Sequence, residues 1–242
     1  MTSFYLAFKG CESLQTIPVG LFDNCTEVTN FKGTFEFCYN LQTIPEGLFN
    51  ACPKVTTFES TFFRCKSLQA IPQGLFDKNT KVTSFRYTFG NLSNYGDSGN
   101  NIALTSIPEG LFDNCTEVTS FEGTFARCKA LKSIPAGLFD HCTDVTSFSE
   151  TFSSCSSLTS IPSGLFNNNT KVAEFGWLFD KCTEVISESP YTIINVNGQD
   201  VKVHLYERAN YPEYFTVPTS YTDCFNYCTK LTDYSAIPSS WL

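Results

Sequence analysis

Twelve cysteines, two histidines and 24 carboxylates are the side chains in this 242-residue chain that could hold a metal, cross-link the fold or move a proton. The cysteines recur mostly at alternating intervals of 14 and 13 residues. One set is Cys11, Cys38, Cys65, Cys128, Cys155, Cys182 and Cys228. The other is Cys25, Cys52, Cys115 and Cys142, with Asn79 and Asn169 in the same slot. Asparagine cannot share a disulfide, so that slot reads as a buried polar column bonded to backbone, and the cysteines as free, buried thiols. Disulfides Cys25–Cys52 and Cys115–Cys142 remain the alternative, since neighbours within a column would lie near bridging distance. Zinc lacks a ligand set, because the close pair Cys224 and Cys228 has no second pair beside it.

Proton chemistry has as little support. His141 stands in a slot filled elsewhere by Asn24, Asn114 and Asn168, and so reads as a solvated turn residue. His204 reads as a strand residue before it reads as a general base. No G-x-S-x-G, H-E-x-x-H or glycine-rich phosphate loop is present. Asp23, Asp77, Asp113 and Asp140 occupy recurrent turn positions, whereas a catalytic pair should be an exception to a repeat. Calcium is disfavoured by the missing glycine–aspartate nonapeptide. The expectation is no catalytic residue, no metal and no cofactor. Off-repeat carboxylates clustered in a groove would revive a carbohydrate-active enzyme.

What positions these residues is repetition. Phe4, Phe31, Phe58 and Phe85 are each 27 residues apart, and Phe121, Phe148 and Phe175 resume the period after a gap of 36. The consensus is V-T-x-F-x-x-T-F-x-x-C-x-x-L-x-x-I-P-x-G-L-F. Each unit is itself doubled, every half reading as a tight helical or 3₁₀ turn through G-x-F-x-x-C and then a short extended piece. Apolar residues fall mostly every third position, which fits neither an amphipathic helix nor a long alternating strand. A solenoid of stacked 27-residue coils, with short parallel strands, produces that spacing. Stacking places Glu27, Lys54, Lys81, Glu117, Asp144 and Lys171 in one column, with three of the five neighbouring pairs opposite in sign. The threonines at 29, 56, 83, 119 and 146 form another, suited to bonding across coils.

Two segments break the period and divide the chain. Residues 1–185 form the solenoid, lengthened by nine residues near 91–101. Residues 186–219 form an inserted segment, in which Asn197-Gly198 between two β-rich runs predicts a hairpin. Residues 220–242 carry a degraded repeat that reads as a cap. At the other end, Met1 occupies a repeat valine position with no polar cap before it. The expectation there is a piece of a longer chain, or self-association through the uncapped first coil.

Composition narrows the partners. Sixteen basic against 24 acidic residues give a net charge of −8, which repels phosphate backbones, and no stretch of sequence forms a basic patch. No apolar run reaches transmembrane length, and no secretory leader is evident. Seven of the 11 tyrosines crowd between Tyr191 and Tyr234, and tyrosine is enriched in contact surfaces. The candidate binding residues are therefore Tyr191, Tyr206, Tyr211 and Tyr214, with the Gln15, Gln42 and Gln69 column on an exposed repeat face.

The run F-x-x-T-F-x-x-C-x-x-L-x-x-I-P-x-G-L-F resembles the cysteine-bearing leucine-rich repeats of bacterial surface proteins called BspA-like, over residues 1–185 and more weakly 220–242. The resemblance implies a leucine-rich-repeat solenoid that is secreted or surface-anchored. It implies a non-enzymatic adhesion module binding protein or glycan on a host or neighbouring cell. The alternative is a structural or receptor-binding part of a larger assembly such as a phage fibre.

Overall fold

A computed structural model of the chain describes residues 1–92 and 102–242. Besides a parallel bridge between Thr16 and Thr43, the coils into which the backbone winds are joined by one long line of such bridges: Ser3, Asn30, Thr57, Ser84, Ser120, Ser147, Glu174 and Ser220 each pair with the next. These eight residues number the coils one to eight. Along this line the extended piece expected in each coil shrinks to a single bridging residue. The reason lies just downstream. From Phe31 onward, alternate N–H groups point to different partners: those of Phe31, Gly33, Phe35 and Phe37 donate to the coil ahead, at Thr57, Glu59, Thr61 and Phe63. Those of Thr34, Glu36 and Cys38 turn back three residues within their own coil. This zigzag needs left-handed backbone at Gly33 (φ 64°) and Phe37 (φ 62°), so extended geometry cannot continue.

Three phenylalanine stacks fill the interior. Phe31, Phe58, Phe85, Phe121 and Phe148 lie face to face at 5.7–5.8 Å. Phe35, Phe62, Phe89, Phe125, Phe152 and Phe179 form the second stack, and Phe22, Phe49, Phe76, Phe112, Phe139 and Phe166 the third. Each ring is close to fully buried, and burial of that kind contributes roughly 1.5–3 kcal/mol per side chain.

Polar columns close the gaps between coils. The Thr56, Thr83, Thr119 and Thr146 hydroxyls each donate to the threonine carbonyl one coil back, at 3.2 Å. All twelve cysteines are free. Cys38, Cys65, Cys155 and Cys182 donate to the phenylalanine carbonyl of the preceding coil at 3.2–3.3 Å. Asn79 and Asn169 substitute in the other column by donating to Cys52 O (2.9 Å) and Cys142 O (2.8 Å). Ten thiols are buried, while Cys11, in the first coil, is exposed and Cys25 half-exposed. In the charge column, Lys54 pairs with Glu27 at 2.6 Å and Lys171 with Asp144 at 2.5 Å.

The lengthening read at 91–101 lies, from residue 93, outside the described residues. Its flanks stay in register. Ser84 still bridges Ser120, and Phe85 stacks on Phe121 at 5.7 Å, as in uninterrupted coils. The hairpin forms as the sequence predicts, with β1 at Tyr191–Val196 pairing antiparallel with β2 at Gln199–His204. Asn197 (φ 52°) and Gly198 (φ 86°) supply the two left-handed residues of a type I′ turn. A 3₁₀ turn over Leu205–Asn210 follows. Its Arg208 is fully buried between the hairpin and coil six, donating to Phe166 O and Asn169 O at 2.8 and 2.9 Å. Burial lowers that guanidinium's pKa to about 9. The last coil stacks Phe225 on Phe179, and Trp241 covers Tyr221 at 4.8 Å.

Candidate functional site

Gln15, Gln42 and Gln69 are exposed and aligned, because their backbones form a second cross-coil ladder. They occupy coils one to three. The hairpin is anchored three coils further on, through Ser163 O and Thr170 O, so the two sets of candidate residues are not brought together. The tyrosines divide as well. Tyr191 packs beneath the Lys202 ammonium (4.3 Å) and edge-on to His204. Tyr206 stacks on the His204 ring at 5.1 Å, and burial pushes its phenol up to about 12. Tyr211 is half-buried against the small core of Ile194, Val203 and Phe215. Tyr214 is 37% exposed, with its hydroxyl donating to Asn195 O at 2.6 Å. Most of this aromatic mass holds the hairpin.

The fold also assembles a cluster that no local pattern announces. Glu188, His204 and Asp233 place a ligand atom each within 4.8 Å of one another. Such a trio could coordinate a cation, but its atoms are already engaged. The Ser189 hydroxyl lies between His204 Nδ1 (2.8 Å) and Asp233 Oδ2 (2.5 Å), and Lys202 pairs with Glu188 at 2.9 Å. Nor is it built for nucleophilic attack. Ser189 is fully buried, and the carboxylate of Asp233 bonds the serine that a base would have to activate. This is a clamp joining the hairpin to the last coil.

A different surface has the features of a site. Left-handed residues recur in two columns along one edge of the coils. The first runs Leu6, Gly33, Ser60, Tyr87, Gly123, Glu150, Trp177 and Asp223. The second includes Gly10, Phe37, Arg64, Arg127, Ser154, Lys181 and Tyr227. The interior phenylalanine, threonine and cysteine positions repeat from coil to coil, whereas neither of these two columns has a consensus residue, Gly33 and Gly123 standing in line with Tyr87, Glu150 and Trp177. Large side chains at positive φ are uncommon and strained, and such strain gathers at functional sites. Over coils five to eight this edge holds two adjoining hollows of about 380 and 370 Å³, both walled by Arg127, Ser154 and Lys181. Trp177 and Asp180 line the first, Lys129 and Tyr227 the second. Glu150 also lines the first, and burial, together with Glu122, raises its pKa. The sequence held a signal for this surface, since Arg127, Ser154 and Lys181 are successive members of one 27-residue column. Only their lack of consensus hid it.

The family model described as the BspA type leucine rich repeat region matches the chain in six copies, over residues 5–99 and 86–232. No curated protein matches the chain in sequence. Among solved structures it is similar to the APL1 leucine-rich repeat domain (16% identity, TM-score 0.39, covering 61% of this chain and 35% of that one). It is similar to a chain of the LRIM1/APL1C complex (16%, TM-score 0.40, covering 66% and 25%). A third is a leucine-rich repeat protein from Bacteroides ovatus (17%, TM-score 0.22, covering 79% and 71%). The chain thus spans about a third or less of the first two. Described residues in every matched stretch carry the repeat's bridges and core rings, and the chain belongs to the BspA-type leucine-rich repeat family.

Proposed function

We propose that this chain is a non-enzymatic binding module working outside the cell or at its surface, recognising protein or glycan through the edge that carries the two left-handed columns. The observation that carries this reading is the left-handed backbone that one edge holds at large and dissimilar side chains, where the opposite edge uses glycine. A repeat protein that only spaced its neighbours would have no reason to hold Trp177, Glu150 and Lys181 at backbone angles that glycine adopts freely. The ten buried thiols are compatible with an extracellular setting. Burial raises those of Cys38 and Cys52 to about 11 and that of Cys142 to about 12, and the thiolate is the form that oxidants attack. Tyr214 and the Gln15, Gln42 and Gln69 line offer secondary contacts on separate surfaces.

The test is adherence of the purified chain to immobilised matrix proteins and to a glycan array. Trp177→Ala with Tyr227→Ala should abolish adherence, while Tyr214→Ser or Gln42→Ala weakens it less. A folded chain that adheres to nothing, or adheres equally without Trp177 and Tyr227, overturns the reading.

A further inference from the structure

The groove over coils five to eight has a chemistry of its own. Asp180 is 3% exposed and lines the first hollow. Its Oδ2 accepts from Lys181 Nζ at 2.8 Å, while Oδ1 finds no donor among the described residues. A buried carboxylate oxygen left in that state is unfavourable until water or a ligand donates to it. Beside it stands Trp177, 42% exposed, its indole N–H held by Asp223 Oδ2 at 3.0 Å. The ring is thereby fixed as a platform at a position where two other coils have glycine. The second hollow is walled by Arg127, Lys129, Lys181, Tyr227 and the Ser156 and Thr183 side chains, with no carboxylate among its lining residues. Lys181 is taken by Asp180, which leaves Arg127 and Lys129 without an ion pair among the described residues. On a chain of net charge −8, that is a local attraction for anions against a repelling background.

We infer that this groove binds an acidic saccharide, with a sugar ring on Trp177, a sugar hydroxyl donating to Asp180 Oδ1, and a carboxylate or sulfate on Arg127 and Lys129. The assignment rests on the reading of this edge as a recognition surface. Sugar hydroxyls both donate and accept, which suits walls that alternate carboxylate, hydroxyl and cation. The C–H face of a pyranose suits a fixed indole, and its anionic substituent suits a basic hollow. A nucleic acid fits less well. Arg127 and Lys181 stand two coils apart, about 10 Å at strand-like spacing, and Glu150 and Asp180 would face the phosphates that flank a site so short.

The experiment is titration of the full chain, by calorimetry and tryptophan fluorescence, with five probes: sialyllactose, a sulfated chondroitin disaccharide, lactose, inorganic sulfate and a short single-stranded DNA. At least one acidic saccharide should bind with Kd below about 1 mM and change the fluorescence, and whichever binds tighter identifies the anion. Lactose and sulfate should each bind at least about tenfold more weakly. Arg127→Gln with Lys129→Gln should cost about tenfold or more, and Trp177→Ala should lose both affinity and the fluorescence response. If either variant unfolds, Lys129→Gln alone, altering a half-exposed rim residue, should still weaken binding severalfold. The inference is overturned if neither acidic saccharide binds, if lactose or sulfate binds as tightly, if the variants bind like the parent, or if single-stranded DNA binds more tightly. Adherence that depends on Trp177 without saccharide binding would sink this inference and leave the wider reading standing. Release of reducing sugar would keep the saccharide and overturn the non-enzymatic reading, with Glu150 and Asp180 as the carboxylates to test.

Discussion

The two turning edges of this solenoid meet the same backbone demand in opposite ways. At the Gly-Leu-Phe turn, left-handed residues are Gly20, Gly47, Gly74, Gly110 and Gly137, each three residues before an aspartate or asparagine. At the other edge, twelve of the thirteen non-glycine residues with positive φ among the described residues stand in two columns, among them Tyr87, Glu150 and Trp177. The left-handed conformation is worth roughly 1–2 kcal/mol less to an L-residue than the right-handed one. Glycine removes that penalty on one edge, and the other bears it in nearly every coil. On the reading proposed above, the glycine column answers to folding and the left-handed columns without consensus to contact. The burden is carried by a frame of phenylalanine stacks and bonded thiols that is the same beneath both edges.

The largest effect expected from attacking the frame comes from alkali. Cys65, Cys128, Cys155, Cys182 and Cys224 are essentially unexposed, and burial holds their thiols well above the ordinary range. Below the unfolded thiol pKa of about 8.5, both states are protonated and the stabilisation is complete. Above it the unfolded chain releases a proton that the native chain keeps, so stability falls as pH rises, by about 1.4 kcal/mol per unit for each thiol. Over two units five such thiols together cost about 14 kcal/mol, comparable to the 5–15 kcal/mol typical of a domain. Circular dichroism should show cooperative unfolding between about pH 9 and 11. A melting temperature unchanged up to about pH 10.5 would break the claim that the thiol columns belong to the frame.

Next come reciprocal substitutions at the two edges. Gly110 has φ 68°, and a Cβ there would lie 2.9 Å from Asp113 Oδ2. A β-branched residue adds the left-handed penalty, so Gly110→Val should lose about 2 kcal/mol, or roughly 4–8 °C in Tm. Ser60 has φ 56° and is half-buried. There Ser60→Gly should gain about 0.5–1 kcal/mol, because relief of strain exceeds the added chain entropy. If thermal melts show Ser60→Gly to be destabilising, the variable edge is not strained, and the contrast between the edges loses its energetic content.

How much of this was legible follows from where each signal sits. The hairpin was readable because Asn197-Gly198 fixes its own turn locally. The thiol columns were readable because Asn79 and Asn169 replace cysteine in a slot where a disulfide would forbid it. The length of the extended piece was not, since Phe37 takes a left-handed φ with no glycine to announce it. The groove fell in the same blind spot. Arg127, Ser154 and Lys181 are periodic, but a search for consensus passes over columns defined by having none. The Glu188, His204 and Asp233 cluster was out of reach, because the hairpin that brings it together departs from the period altogether.

The smallest effect separates packing from surface charge within the frame itself. Lys54 and Glu27 approach to 2.6 Å across adjacent coils, in a column whose charges the sequence had already aligned. Their side chains are 51% and 62% exposed, so water and salt screen the attraction, and ordering two long side chains opposes it. A double-mutant cycle with Lys54→Ala and Glu27→Ala should give a coupling below about 0.5 kcal/mol that fades in molar salt. Thr56, in the same turn of the same coil, is tied to the Thr29 carbonyl by both its backbone N–H and its hydroxyl. A coupling above about 1 kcal/mol in the ion pair would mean that the charge column, and not only the stacked rings and backbone ladders, sets the register of the coils.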